Sequence, residues 1–343
     1  MLLRQIKVEG LRRLPELSVA SLGRVVTVDG DGPVTTAFVD GLELFFAVFS
    51  GQGLRATLEH LRVVEPGEEV EIDVGLTAEE ARWESSDGAR ALVHPEADRT
   101  IRISLTFELD PPQYAILRDH AVRDPFLVKA LAAGPEISLQ VGYLFNRSFD
   151  SARVGPLSMT MAGHRVPVVG KEVPAWVHAL FQNLSGKFLR VPFLGRAHGL
   201  ERRIAKTWLD AQISADELHH GRATSLTAVL EAPPFSLPRA RPVRWNGKRA
   251  MVVAGAQSVP IGRLGAGAVE SVLLAGAVGI TGAEIFVAEA PGLLMNNRKA
   301  VLRWLARQAT EAGAPLEQVF LCGVSASALK GKGVVHLALA EDK

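Results

Sequence analysis

The stretch Glu284 to Gly292, reading EIFVAEAPG, constrains the fold more than any other part of the chain. Four apolar residues, Ile285 to Ala288, lead into the single carboxylate Glu289, and Ala290, Pro291 and Gly292 follow. A short apolar run bounded by Pro and Gly reads as a buried strand that delivers its last side chain to the carboxyl edge of a sheet. In open α/β sheets that edge is where ligands sit.

The 343 residues suffice for one large domain or two lobes. With 48% hydrophobic and 22% charged residues, the chain has the material for a packed core. A net charge of +1 exerts no global pull on nucleic acid or acidic lipid. A single cysteine, Cys322, excludes an internal disulfide framework and a thiolate zinc cluster. The start, MLLRQIKVEG, lacks the apolar core of a signal peptide. The longest apolar run, Val269 to Ile280, is Gly-interrupted and shorter than the roughly 18 residues of a spanning helix. The expectation is a cytoplasmic protein without membrane contact.

Alternation from Leu2 to Val8 predicts a half-exposed strand, and Arg24 to Val28 a second one, with Gly10-Leu11-Arg12-Arg13-Leu14 between them. Asp29-Gly30-Asp31-Gly32-Pro33-Val34-Thr35-Thr36 then precedes a helical pattern from Ala37 to Phe49. Strand, Gly-rich turn and helix is the context in which backbone amides and a lysine hold phosphates. The plainer alternative is a βα turn with Thr35 as helix N-cap. Strands are expected at Glu69 to Val74, Ala81 to Trp83, Ala89 to Val93 and Thr100 to Leu109, the last with clear period-two alternation.

Taken in order, these segments resemble the ABC-type ATPases of the RecF, SMC and OLD branch. Ile285 to Pro291 is similar to their Walker B strand, which places Glu289 on the magnesium carboxylate and Ala290 on the catalytic glutamate. Gly30, Gly32, Thr35 and Thr36 resemble the phosphate loop, but Val34 stands where the family has lysine, and no lysine occurs between Lys7 and Lys129. Leu264-Gly265-Ala266-Gly267-Ala268 resembles the signature motif, with Gly265 on its serine and Gly267 retained. The strand Gln318 to Cys322 leads to Val324, on the family's γ-phosphate-sensing histidine, and no histidine lies between His220 and His336.

The resemblance implies an α/β fold: a P-loop NTPase-like ABC ATPase head with an antiparallel β-layer, formed by residues 1–110 and 250–343. A compact mixed α/β middle region, 111–249, is inserted, with no long coiled coil because no heptad repeat is sustained there. Within it, helices are expected over 113–133, Pro174 to Leu184 and Leu200 to Leu209, and strands at Glu136 to Phe145, Leu157 to Met161 and Arg165 to Val169. One basic cluster is Lys187, Arg190, Arg196, Arg202, Arg203 and Lys206; a second, Arg239, Arg241, Arg244, Lys248 and Arg249 around Trp245, supplies candidate nucleic-acid contacts. The plainer reading of both is a solvated surface. Asp216, Glu217, His219 and His220 have the residue types of metal ligands, but an exposed helix end is the simpler account, and no metal is expected.

Phosphoryl transfer rests on charge neutralisation, metal and water positioning. With lysine, serine, glutamate and histidine all replaced, the expectation is no catalytic residue and no cofactor; only Glu289 and Thr35 could still touch ATP-bound magnesium. The implied role is a pseudo-ATPase scaffold or regulatory subunit that pairs with an active ATPase subunit or forms a homodimer. The alternatives are a DNA-associated module of repair or phage defence with residual nucleotide binding, and an enzyme in which a middle-region cation reaches the Gly30 to Thr36 loop. The scaffold reading further expects Pro33 and Val34 to fill the phosphate position.

Overall fold

The structure is a computed structural model. It describes residues 1–12, 14–30, 32–49, 71–72, 81–82, 88–121, 124–149, 151–168, 173–191, 229–230, 232–235, 240–245, 250–254, 257–260, 265–280, 283–293, 295–331 and 333–339. The chain divides into two compact units, Met1–Gly23 with Gly30–Phe188 and Ala338–Lys343, and Arg24–Asp29 with Leu189–Leu337.

The first unit is built on a sheet of β1 (Leu2–Leu11), β2 (Leu14–Val19), β4 (Glu71–Ile72), β5 (Ala81–Arg82), β6 (Thr100–Glu108), β7 (Glu136–Phe145), β8 (Ser151–Met161) and β9 (His164–Val166). Its order is β2-β1-β6-β7-β8-β5-β4, with β9 on β8, and these pairings are antiparallel. This is the antiparallel layer that the resemblance implies, and β6 is the strand that period-two alternation predicts over Thr100 to Leu109. One face is apolar: Ile6, Val8, Ile101, Ile103, Leu105, Ile137, Leu139 and Val141 are buried. The opposite face carries small polar rows, such as Thr106 Oγ1 on Ser138 Oγ at 2.8 Å. The sheet continues past residue 110, where the head was expected to give way to the middle region, because β7 pairs with β6 along its length.

Helix α1 (Gly32–Ala47) lies in this unit, and its Gly41 packs on β1: a Cβ there would stand 2.6 Å from Val8 Cγ2. Phe45 and Phe46 are buried, as expected of core residues, and Phe46 stacks on Phe188 with ring centroids 5.1 Å apart. Tyr143 donates its hydroxyl to the Leu44 carbonyl at 2.7 Å.

Two expectations are corrected here. Ala89 to Val93 is not a strand: α2 (Gly88–Leu92) is a short helix of good helix formers, and only Val93 bridges to Leu11. Residues 113–133 form two helices, α3 (Pro111–Ala121) and α4 (Pro125–Ala133). Each starts with Asp-Pro. The Asp110 carboxylate accepts from Gln113 N at 2.8 Å and that of Asp124 from Leu127 N at 3.2 Å, while proline fills the first helical position, where its missing N–H costs nothing. Helix α5 (Ala175–Leu184) follows the sequence reading.

The second unit centres on a sheet ordered β10-β14-β15-β3-β16: β10 (Phe188–Val191), β14 (Ile285–Glu289), β15 (Gln318–Cys322), β3 (Val25–Gly30) and β16 (Val334–Leu339). The three central strands are parallel. Parallel strands are buried on both faces, which is why they read as unbroken apolar runs. All five residues of β15 and the first four of β14 are indeed buried. Phe286, Ala288, Val319 and Leu321 pack with α6 (Ala266–Ile280) and α7 (Arg298–Thr310) in one apolar core. A separate antiparallel ribbon, β11 (Ala240–Trp245), β12 (Ala250–Ala254) and β13 (Gln257–Pro260), also lies here. The longest helix among the described residues has 16 residues, and none is long and apolar enough to cross a membrane.

Candidate functional site

The carboxyl edge of the parallel strands is formed by Glu289, Cys322 and Val28, which sit side by side in register. Glu289 is half-buried at the end of β14, as the apolar run predicts. Its partner is a guanidinium. Arg190, on β10 next to β14, places both Nε and Nη2 at 2.5 Å from Glu289 Oε1. Arg190 is 10% exposed and Glu289 22%, so the pair is screened by solvent far less than a surface contact. The carboxylate at the end of β14 is thus bound by an organic cation of the same chain. In the sequence Arg190 was only one of a basic cluster; the signal that singles it out is a lone charge inside the apolar strand Phe188-Leu189-Arg190-Val191.

Ala290, which follows Glu289, has φ +44° and donates its N–H to the Cys322 carbonyl at 2.7 Å. A side chain at positive φ is uncommon and costs about 1 kcal/mol. Gly292, at φ +72°, turns the chain into α7, and a Cβ there would stand 3.2 Å from Arg298 Cα. Its N–H donates to Glu270 Oε1 at 2.6 Å. Glu270 is the only charged residue of α6 and is buried, so the helix that begins at the signature-like turn is tied to the loop after β14. Sequence reading missed this contact, although a lone carboxylate in AGAVESVLLAGAVGI was visible. Arg298 completes the edge, with Nη2 donating to the Gly323 carbonyl at 3.0 Å and Nε to that of Pro291 at 3.3 Å.

Gly265 caps α6: its carbonyl accepts from Val269 N at 3.1 Å and from Ala268 N at 2.8 Å. Nothing lies within 4 Å of where its Cβ would be. Gly267 is inside the first turn, and its carbonyl accepts from the Ser271 hydroxyl at 2.8 Å. Val324 is fully buried and packs in the apolar core, with no polar role. Burial pushes the Cys322 thiol well above the ordinary range, the Glu289 charge adds to this and the Arg190 charge opposes it. A thiol in that state is a packing group, not a nucleophile.

The expected Gly-rich turn is corrected in the first unit. Gly30 ends β3 and Gly32 begins α1, so one residue separates strand from helix. A phosphate loop needs several consecutive backbone amides between them. Here Gly32 to Thr36 are already helix, because Pro33 suits a first turn and fixes φ at helical values. Pro33 is exposed and Val34 is buried, so together they do not fill a loop. Thr35 is not an N-cap: it lies inside α1, and its Oγ1 is buried without a hydrogen-bond partner. Thr36 is half-buried in the same turn. Asp40 is buried and paired with Arg12 Nε at 2.6 Å.

Of the remaining candidates, Arg241 and Arg244 lie on β11, paired in register with Val253 and Met251. Arg239, Lys248 and Arg249 lie outside the described residues, as do Arg196, Arg202, Arg203 and Lys206, Asp216, Glu217, His219 and His220, and the helix expected at Leu200 to Leu209. Among the described residues no three His, Cys, Asp or Glu side chains converge as a metal site would require.

No protein-family model matches the chain. No curated protein matches it either. Solved structures do. An SMC head bound to the C-winged helix domain of ScpA superposes with a TM-score of 0.56 at 9% identity, covering 96% of this chain and 91% of that one. The SMC head domain from Thermotoga maritima gives a TM-score of 0.39 at 9% identity over 94% and 89% of the two chains. An Smc head with an extended coiled coil, bound to the C-terminal domain of ScpA derived from Pyrococcus furiosus, gives 0.46 at 10% identity over 94% and 89%. The first of these carries the comparison. At 9% identity it speaks for the fold alone, and the fold is that of an SMC head: an ABC-type ATPase α/β architecture with an antiparallel layer.

Proposed function

We propose that the chain is a pseudo-ATPase: an ABC-ATPase-like head that has given up nucleotide chemistry and serves as a scaffold or regulatory subunit. The observation that carries this reading is Arg190 on Glu289. A fold of this kind implies ATP with magnesium, and the residues present do not fit that group. The metal carboxylate is held by a guanidinium. The strand-to-helix connection is one residue long. Val34, Gly265, Ala290 and Val324 offer no cation, hydroxyl, base or ring nitrogen where a γ-phosphate would need them.

A scaffold acts through a protein partner, either an active ATPase chain or a second copy. The similar SMC head that is bound to a domain of another protein supports this direction. The test is phosphate release from Mg-ATP by the purified chain, with sedimentation velocity in the presence and absence of nucleotide. The expected result is release at the blank level and an assembly state indifferent to ATP. Turnover that disappears in Glu289→Gln would overturn the proposal.

A further inference from the structure

A cleft of about 340 Å³ lies in the first unit, where the end of β6 leads into α3. Its most buried wall is Leu109, which is 5% exposed and donates its N–H to the Pro135 carbonyl at 2.9 Å. Pro135, just before β7, forms a second wall. The third is one face of α3: Pro111, Tyr114, Ala115 and Arg118 stand at the i, i+3, i+4 and i+7 positions and all border the cleft. The Tyr114 hydroxyl is donated to the Leu131 carbonyl of α4, so this residue offers the cleft an apolar ring held in one orientation. Two proline rings, a tethered aromatic and a methyl group lose almost no rotamer freedom when a ligand covers them. Arg118 is the one charged residue among these walls; it is exposed, and among the described residues no carboxylate pairs with it. The carboxylates on either side of Leu109 are engaged elsewhere: Glu108 accepts from Arg4, and Asp110 from Gln113 N and the Met1 amine.

We propose that this cleft binds a small carboxylic acid with an aryl or branched alkyl body. The body lies on Leu109, Tyr114 and the proline rings, and the carboxylate meets Arg118. Charge and geometry select the head group. A guanidinium takes a planar carboxylate through two parallel N–H bonds. A phosphate dianion calls for further cations or for the amides of a helix N-terminus. The cleft has a single cation, and α3 begins Pro111-Pro112, which removes two backbone donors at that end. The apolar walls select the body, since a wholly polar ligand would leave them without a partner. Small-molecule sites run from roughly 300 to 1,000 Å³, and a cleft at the bottom of that range suits one ring with a short chain. The inference is independent of how Glu289 is read.

The test is a ligand-detected NMR titration of the full chain with 4-phenylbutyrate, its primary amide, phenyl phosphate and the peptide acetyl-glycyl-phenylalanine. The variants are Arg118→Gln and Ala115→Phe, which fills the cleft from an exposed helix position, with thermal melts to confirm an intact fold. The acid is expected to bind at least tenfold more tightly than the amide and than phenyl phosphate. Arg118→Gln should bring the acid down to the affinity of the amide. An arginine that served only the C-terminal end of the α3 dipole would change the melting temperature and not this ratio. Ala115→Phe should abolish binding of the acid. Equal affinity for acid and amide would overturn the proposal, as would no binding of the acid at about 1 mM or binding that survives Ala115→Phe. Phenyl phosphate binding more tightly than the acid would overturn it too. So would tenfold tighter binding of the peptide, since the cleft would then receive the carboxy terminus of a partner chain.

Discussion

Arg190 grips one carboxylate oxygen of Glu289 with two guanidinium nitrogens, each at 2.5 Å. This pair fixes the chemistry of the sheet edge. A guanidinium neutralises the carboxylate as a divalent cation would, but it brings no open coordination position for phosphate or water. Removing one partner of such a half-buried pair strands a charge, whereas removing both leaves an apolar surface. Arg190→Met is therefore expected to cost about 1–3 kcal/mol, discounted from a fully buried pair because Glu289 keeps some contact with water. Arg190→Met with Glu289→Leu should recover most of that. Urea midpoints for the four members of the cycle check both statements, and a double variant no more stable than the single one would contradict them.

Adjacent residues after β14 should respond to substitution with opposite signs. Ala290 holds φ +44° with a Cβ, so Ala290→Gly is expected to gain a few tenths to about 1 kcal/mol. Gly292 holds φ +72° with Arg298 and Val301 close by, so Gly292→Ala should lose about 1–2 kcal/mol. Thermal melts of the two variants decide this. Two shifts of the same sign would mean that the turn is not held as described.

Gly265 caps α6 without a side chain, and the space around its Cβ position is open. Gly265→Ser is therefore accommodated at no steric cost. It should stabilise the protein by a few tenths of a kcal/mol, since serine caps better than glycine. On the pseudo-ATPase proposal, ATP affinity should not change. A gain in nucleotide binding from this one change would show a site more complete than the geometry allows.

Cys322 is buried at the sheet edge, and its thiol titrates far above the ordinary value. It should resist aromatic disulfide reagents in the native state and react only on unfolding, which makes it a reporter of global opening. Both Cys322 and Tyr143 have folded values raised by burial, with Glu43 adding to the rise at Tyr143. Below the ordinary values the folded and unfolded states bind these protons equally, and stability is unaffected. As pH rises past about 9 and then 10 the unfolded chain releases them and the folded one does not, so stability falls. Urea midpoints at pH 8 and 10.5 should show that decline.

The parallel sheet was legible because buried strands announce themselves: Ile285 to Ala288 and Val319 to Cys322 have few polar atoms and sharp ends. The strands Thr100 to Glu108 and Glu136 to Phe145 were legible from their apolar and polar patterning, while their antiparallel arrangement came from the resemblance. The break at Asp124-Pro125 was readable in principle, as Asp-Pro also opens α3, but the flanking residues keep helical periodicity and mask it. The start of α1 was misjudged because Gly32 and Pro33 suggest a turn, while Pro is equally at home in a first helical turn. The pairing of Arg190 with Glu289 was not legible, since 99 residues separate them and only the β10–β14 adjacency joins them.

The most direct test of the pseudo-ATPase reading is a calorimetric titration of Mg-ATP into the wild-type chain and into Arg190→Gln. The account expects no binding heat from the wild type up to about 1 mM ATP, the concentration at which even −4 kcal/mol of affinity would register. Micromolar, magnesium-dependent binding by the wild type would contradict it, because it would mean that Glu289 serves a metal despite the guanidinium that holds it.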